Sequence, residues 1–152
     1  MGPYLHELVP EGPAAYPHLE LYWHEAGRMP YLLRVGDEDA GFALVRHHPE
    51  IAFHEMAEFY IRPAWRRRGI GAVAARALFA RHPGWWHLQV LDSNHPARAF
   101  WQRVIPGTPR REQQMAPTGR RYCVLRFHVS TRWAAAARPT RAATATAAHD
   151  GE

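Results

Sequence analysis

Apolar residues recur at Leu5, Leu8 and Val9 and again at Leu19, Tyr22 and Trp23. That i, i+3, i+4 rhythm belongs to helical faces, so two short helices are expected before position 30, broken by the Pro10 to Pro17 stretch. The rhythm then changes. Positions 31–35 (YLLRV) and 41–45 (GFALV) read as two strands, and the polar Gly36-Asp37-Glu38-Asp39 between them predicts a hairpin. After a loop over 47–53, positions 55–61 predict a third strand. Strict alternation would put Ala57, Phe59 and Ile61 on one face and Met56, Glu58 and Tyr60 on the other, with Pro63 ending the strand. An alanine-rich helix follows over 70–81 and stops at Pro83-Gly84. Trp85 to Leu91 predicts a fourth strand, apolar on both faces and therefore central. Ser93-Asn94-His95-Pro96 starts a helix that carries Ala97, Phe100, Trp101 and Val104 on one face and ends near Pro106-Gly107. Positions 107–119 read as a loop or weak strand, and 122–129 as a last strand. Beyond Trp133 an Ala/Thr/Arg tail has no apolar period and is expected to be disordered. The order gives one α/β domain with a mixed sheet over 1–133 and a tail over 134–152, with no internal repeat.

Composition changes this picture little. A chain of 152 residues suffices for one core without staples. The single Cys123 excludes an intramolecular disulfide framework and fits a reducing compartment. No stretch approaches the roughly 20 apolar residues of a membrane span, and the N-terminus lacks the basic-then-apolar order of a signal peptide. His6 stands where a myristoylation signal wants Ser or Thr. The expected address is the cytoplasm, with no membrane partner.

A net charge of +5 and a pI of about 10 invite a nucleic-acid reading. The same numbers weigh less once all 19 basic residues are seen to be arginine beside heavy use of Ala, Pro, Gly and Trp, the mark of a GC-rich coding sequence. Asn94 is the only asparagine in the chain, a hint that its amide is useful there.

The chemistry concentrates in Arg62-Pro63-Ala64-Trp65-Arg66-Arg67-Arg68-Gly69-Ile70-Gly71-Ala72, where a strand runs through a glycine-punctuated turn straight into a helix. The first four N–H groups of a helix have no intrahelical partner, and its dipole favours an anion there. Glycines at 69 and 71 take away Cβ atoms that would hold a diphosphate off the backbone, and Arg66, Arg67 and Arg68 add charged donors at the rim. A P-loop needs Gly-Lys-Ser/Thr, and this chain has no lysine. A dinucleotide fingerprint needs a third glycine where Ala74 stands.

What remains resembles the acetyl-CoA motif of the GCN5-related N-acetyltransferases (GNAT), Arg/Gln-x-x-Gly-x-Gly/Ala, filled by Arg66, Gly69 and Gly71. Asn94-x-x-Ala97-x-x-x-Trp101 is similar to that superfamily's second CoA-side motif, whose last position is commonly tyrosine. The resemblance implies a mostly antiparallel mixed sheet flanked by helices, and acetyl-CoA as co-substrate. It places the cofactor along Phe59, Tyr60, Ile61, Arg66 to Ala72 (Ile70 included), Asn94 and Trp101. The acceptor it implies is an amine, on a small molecule or a protein. The superfamily opens with an edge strand for which positions 1–3 are too short. A fold lacking that strand leaves an edge that a second copy of the chain could cover.

An amine attacking a thioester must be neutral, which calls for a base or a water path to one. Superfamily geometry puts Glu58 first and Glu55 second beside the reacting thioester. Alternation sets the two on opposite faces unless a bulge re-aims one. His54 is a further candidate, and no metal site is expected. Trp101 replaces the usual tyrosine and an indole cannot give up a proton, so either the thiolate leaves unassisted, or Tyr60 or Tyr122 serves, or catalysis is weak. Two other classes stay open. A CoA-binding module without turnover follows from Trp101. An arginine-rich nucleic-acid binder would use Arg66 to Arg68, Arg110-Arg111 and Arg120-Arg121.

Overall fold

The computed structural model describes residues 27–48 and 50–137 with their side chains, and the backbone of Thr144–Ala147. The two helices expected before position 30 lie outside the described residues. The strands are β1 (Arg28–Val35), β2 (Glu38–His48), β3 (Phe53–Ile61), β4 (Gly84–Leu91), β5 (Arg110–Met115), β6 (Arg121–Val129) and β7 (Thr144–Ala147). The α-helices are α1 (Ile70–Arg81), α2 (His95–Val104) and α3 (Thr131–Ala136). One seven-stranded sheet has the order β5-β6-β4-β3-β2-β1-β7. Every neighbouring pair is antiparallel except β3 and β4, which run parallel across the connection through α1.

The hairpin forms where its turn chemistry predicts. Val35 pairs with Glu38, leaving Gly36 and Asp37 as a two-residue loop, with Gly36 in the left-handed region at φ 62°. Among the described residues, one sheet face packs against the helices α1, α2 and α3. Leu78 and Phe79 of α1, Trp101 and Val104 of α2 and Ala134 of α3 join Trp86, Leu88 and Val90 of β4 in one buried cluster. Trp86 is its keystone: the ring is fully buried, meets Phe79 edge-on at 5.0 Å, and donates its N–H to the His82 carbonyl at 2.8 Å.

Four expectations are refined. β4 is central and carries apolar side chains on both faces, but it is buried on one face only, because Trp85, His87, Gln89 and Leu91 alternate out of the core and Trp85 is half exposed at 49%. Of the two readings for positions 107–119, the weak strand holds, as β5. Its sequence RREQQM hides this because an edge strand pairs on one side only and buries almost nothing. Order continues past Trp133, since Ser130 caps α3 by accepting the Trp133 N–H at 3.0 Å and Ala134 is buried. The β1 edge is not bare either, because Thr144–Ala147 lies antiparallel along Tyr31 to Arg34. The chain's own tail thus covers that stretch of the β1 edge.

A histidine cluster lies on the helix-covered face. His54 stacks on Trp86 at 5.2 Å and sits 5.0 Å from His82, whose Nε2 shares a 2.6 Å hydrogen bond with the Tyr31 hydroxyl. Burial first, then neighbouring positive charge, pushes both imidazoles down from 6.5 to about 4. The buried Nδ1 of His54 has no partner, which fits a ring kept neutral. The fold therefore releases protons that the unfolded chain binds. Stability present above pH 6.5 is lost as the pH falls through about 4. We expect a melting temperature that drops steeply across this window, and a shallower drop in His82→Gln, measured by circular dichroism melts at stepped pH.

Candidate active site

The two parallel strands hold together only at their starts. Phe53 pairs with Trp85, His54 with Trp86 and Glu55 with His87, and there the ladder stops. Beyond it β3 and β4 part around a cavity of about 690 Å³, lined among others by Glu58, Phe59, Gln89, Asn94, Trp101 and Tyr122. Backbone groups on the facing edges of the parted strands have no sheet partner on the cleft side. They are met when a chain bearing amides lies in the gap as an extra strand would.

A bulge sets the side chains of β3. The register with β2 jumps between Leu44, opposite Glu58, and Val45, opposite Met56, so Ala57 is the extra residue. Met56 consequently joins Phe59 and Ile61 on the core side. The strict alternation expected for this strand is broken, and the two glutamates no longer oppose each other. Glu58 lines the cleft, and its carboxyl is held above the ordinary range by burial and, second, by the charge of Glu55. Glu55 lies outside the cleft wall. Its Oε1 is 3.2 Å from His48 Nε2 and 3.8 Å from an Arg46 guanidinium nitrogen. His54, on the other face, is likewise absent from the wall.

Downstream of β3, Pro63–Trp65 forms a single 3-10 turn that redirects the chain. Arg66 Nε donates to the Ile61 carbonyl at 2.8 Å and its guanidinium covers the Tyr60 ring at 5.3 Å, so this arginine ties the turn back onto the strand. Arg68 lies over Trp65 at 4.9 Å. Arg67 and Gly69 both adopt positive φ, 63° and 76°, and Gly69 is the N-cap of α1 with no side chain to cap its first N–H groups.

The glycines serve two different ends. A Cβ on Gly69 would meet nothing within 4 Å, so this position is open to a ligand. A Cβ on Gly71 would come within 3.2 Å of Phe100 and 3.4 Å of Ile61, so Gly71 exists to let α1 approach α2 and β3. Ile70 is buried beside Ala40, and Ala72 packs on the core, which leaves both with only backbone to offer a ligand.

Across the cleft, Asn94 Oδ1 caps α2 by accepting the Ala97 N–H at 3.2 Å while the residue also lines the cavity. Trp101 is buried in the core and still forms part of the wall, edge-on to Phe59 at 5.3 Å. Phe100, expected to be core alone, is only half-buried and lines the cleft too. Of the two tyrosines considered, Tyr122 reaches the cleft, donating its hydroxyl to Gln114 Oε1 at 2.7 Å, whereas Tyr60 faces Phe42. Sequence reasoning missed Gln89 and the Ala116-Pro117 turn of the wall. Gln89 was hidden inside an apolar strand, and its only signal was being a polar residue in that run.

Solved structures share this fold. A GNAT-family protein from Desulfovibrio desulfuricans superposes with a TM-score of 0.66 at 18% identity, over 80% of this chain and 84% of the other. A Bacillus subtilis acetyltransferase in complex with CoA gives 0.60 at 12% identity, over 85% and 93%. The ribosomal-protein-S18-alanine N-acetyltransferase of Escherichia coli gives 0.53 at 20% identity, over 78% and 87%. No curated protein sequence matches the chain. The Acetyltransferase (GNAT) family matches residues 3–105, which take in the hairpin, the bulged strand, the arginine-glycine turn and α2. The chain belongs to that family and is an acetyl-CoA-dependent acyltransferase.

Proposed function

We propose that the protein acetylates a primary amine in the cytoplasm, with Glu58 taking the proton from the attacking nitrogen. The observation that carries this reading is a single carboxyl, raised above its ordinary range, in the wall of the cleft where the strands part. A base poised nearer neutrality moves a proton more effectively than an ordinary surface glutamate. In this reading the phosphates of CoA lie on the N–H groups of the turn from Arg66 to Ala72. The amide-bearing arm follows the free edge of β3 at Phe59, Tyr60 and Ile61, and Asn94 and Trp101 border it. Glu55, turned toward His48 and Arg46, tunes Glu58 by its charge and does not act as a base itself. The catalytic unit, expected over positions 1–133, runs on through α3 to Ala136, with the tail strand as an addition to its edge.

Acceptors to try first are peptides with a free α-amine, because one structural neighbour is a ribosomal-protein alanine N-acetyltransferase, followed by small diamines. Release of the CoA thiol, with an acetyl mass gain on the acceptor, is the expected result. Trp101 favours one competing reading, a module that binds acetyl-CoA without turnover. Binding with no thiol release on either acceptor class would select it. In this reading Tyr122, in the cleft wall, turns its hydroxyl from Gln114 Oε1 to protonate the departing thiolate. A thiol of pKa about 8.5 needs little such help. Tyr122→Phe is therefore expected to lower kcat by less than the roughly 10² at the low end for a lost general acid, with KM unchanged. Arginine-driven nucleic-acid binding has less support, since Arg66 and Arg68 are engaged within the turn.

A further inference from the structure

Three strands bring a second chemistry together on the sheet face opposite the described helices α1, α2 and α3. Glu55 pairs with His87 across β3 and β4, and with Arg46 across β2 and β3, and His48 follows Arg46 by two residues on the same face. The His48 and His87 rings are 6.0 Å apart. One donor atom from each of His48, Glu55 and His87 lies within 4.8 Å of the others, and the His48 Nε2 to Glu55 Oε1 distance is 3.2 Å. All three side chains are half-buried, so they are partly stripped of water yet open on one side. We propose that these three residues bind a divalent cation of the zinc class, clamping β2, β3 and β4 at the point where the last two begin to part.

Two imidazoles and one carboxylate suit a borderline cation better than magnesium or calcium, which prefer all-oxygen sets. Tetrahedral zinc with bonds of about 2.0–2.1 Å sets its ligands about 3.4 Å apart. The histidine–glutamate pair already meets that spacing, and His87 closes the rest by an adjustment of about an ångström in its side chain. Three protein ligands leave a fourth position for water. Without an ion, the Glu55 contacts to His48 and Arg46 account for only part of the cluster. They leave His87 edge-on to Phe53 at 5.7 Å and in the fields of Glu55, Arg46 and its cross-strand neighbour Arg126, with no direct ligand role filled. Arg46, at 3.8 Å, is the weaker partner and gives way when a cation takes the carboxylate. The site is built on strands rather than loops, which fixes the donors before the ion arrives.

The test is direct binding by the full chain, independent of any acetyl transfer. Chelator-treated protein is titrated with Zn²⁺ by calorimetry, and with Co²⁺ by visible absorption, which reports coordination geometry. One tight equivalent is expected, with Co²⁺ bands of a low-coordinate site. His87→Ala and His48→Ala should each weaken binding by more than the roughly 10–100-fold typical of losing an outer-shell partner. His128→Ala, removing an exposed ring beside Trp85, should leave affinity unchanged. Retained acetyl-CoA binding certifies that a variant is folded, and either ligand variant suffices if the other is not. Absence of a tight equivalent in the wild type overturns the proposal. So does binding that survives both ligand variants, which would put the ion elsewhere among the 11 histidines.

Discussion

Replacing Glu58 with glutamine is expected to lower kcat/KM at neutral pH by roughly 10²–10⁴, the range for a lost general base, with acetyl-CoA affinity intact. It should also make the protein more stable. Burial, and then the charge of Glu55, hold the Glu58 carboxyl above 4.5, so the folded chain keeps a proton that the unfolded chain releases. A group raised in this way contributes stability below its unfolded value and loses it as the pH climbs through the folded value. At neutral pH the ionised carboxylate is thus a strain on the fold, and glutamine keeps the shape without the charge. Kinetics and thermal melts on the same variant separate the roles. A slow, more stable enzyme is the signature of a base, whereas unchanged turnover removes Glu58 from the chemistry and a lower melting temperature makes it structural. The pH profile adds a third readout. Wild-type rate should rise as Glu58 ionises, and that limb should vanish in the variant.

The bulge at Ala57 explains why alternation set Glu58 and Glu55, both named by the family resemblance, on opposite faces when they share one. Alternation is a local rule, and one extra residue on β3 inverts it for everything upstream. The pairing that reveals the bulge lies on β2, 11 to 14 residues away in sequence. The turn from Arg66 to Gly71 was legible because its conformation is written in consecutive residues: glycine at positive φ, then a helix start. Even so, the sequence could not distinguish the roles of its two glycines, since the atoms crowding position 71 belong to Phe100 and Ile61. Long-range assembly hid more. β5 carries no apolar period because it pairs with β6 alone. β7 is an Ala/Thr stretch whose register is fixed by β1. The His48, Glu55 and His87 cluster has no ligand spacing in the chain, because three different strands contribute one residue each. Family resemblance therefore found the part of the site that is contiguous, and only the sheet shows the parts that are not.

That difference between the two glycines decides how the cradle should be tested. Gly69→Asp is expected to weaken acetyl-CoA binding by about 10–100-fold, equivalent to one hydrogen bond to a charged group at about 1.5–3 kcal/mol, while the fold stands. A side chain at this position has open space, with nothing within 4 Å of its Cβ. Aspartate tolerates the φ of 76° better than most residues do. Its charge also suits the positive end of α1, so the helix is not weakened even as phosphates are repelled. A bulky residue at 71 would be the more obvious block, and it would mislead. A tryptophan there would press its Cβ to 3.2 Å from Phe100 and leave the indole nowhere to go, so lost binding could not be told from lost structure. Calorimetry with acetyl-CoA, paired with a melt, reads the aspartate variant cleanly. A large loss of affinity with no more than the small drop in melting temperature that an aspartate at positive φ brings places the phosphates on the turn. Wild-type affinity would move them off it, and would leave the parted strands, rather than the arginine-glycine turn, as the main hold on the co-substrate.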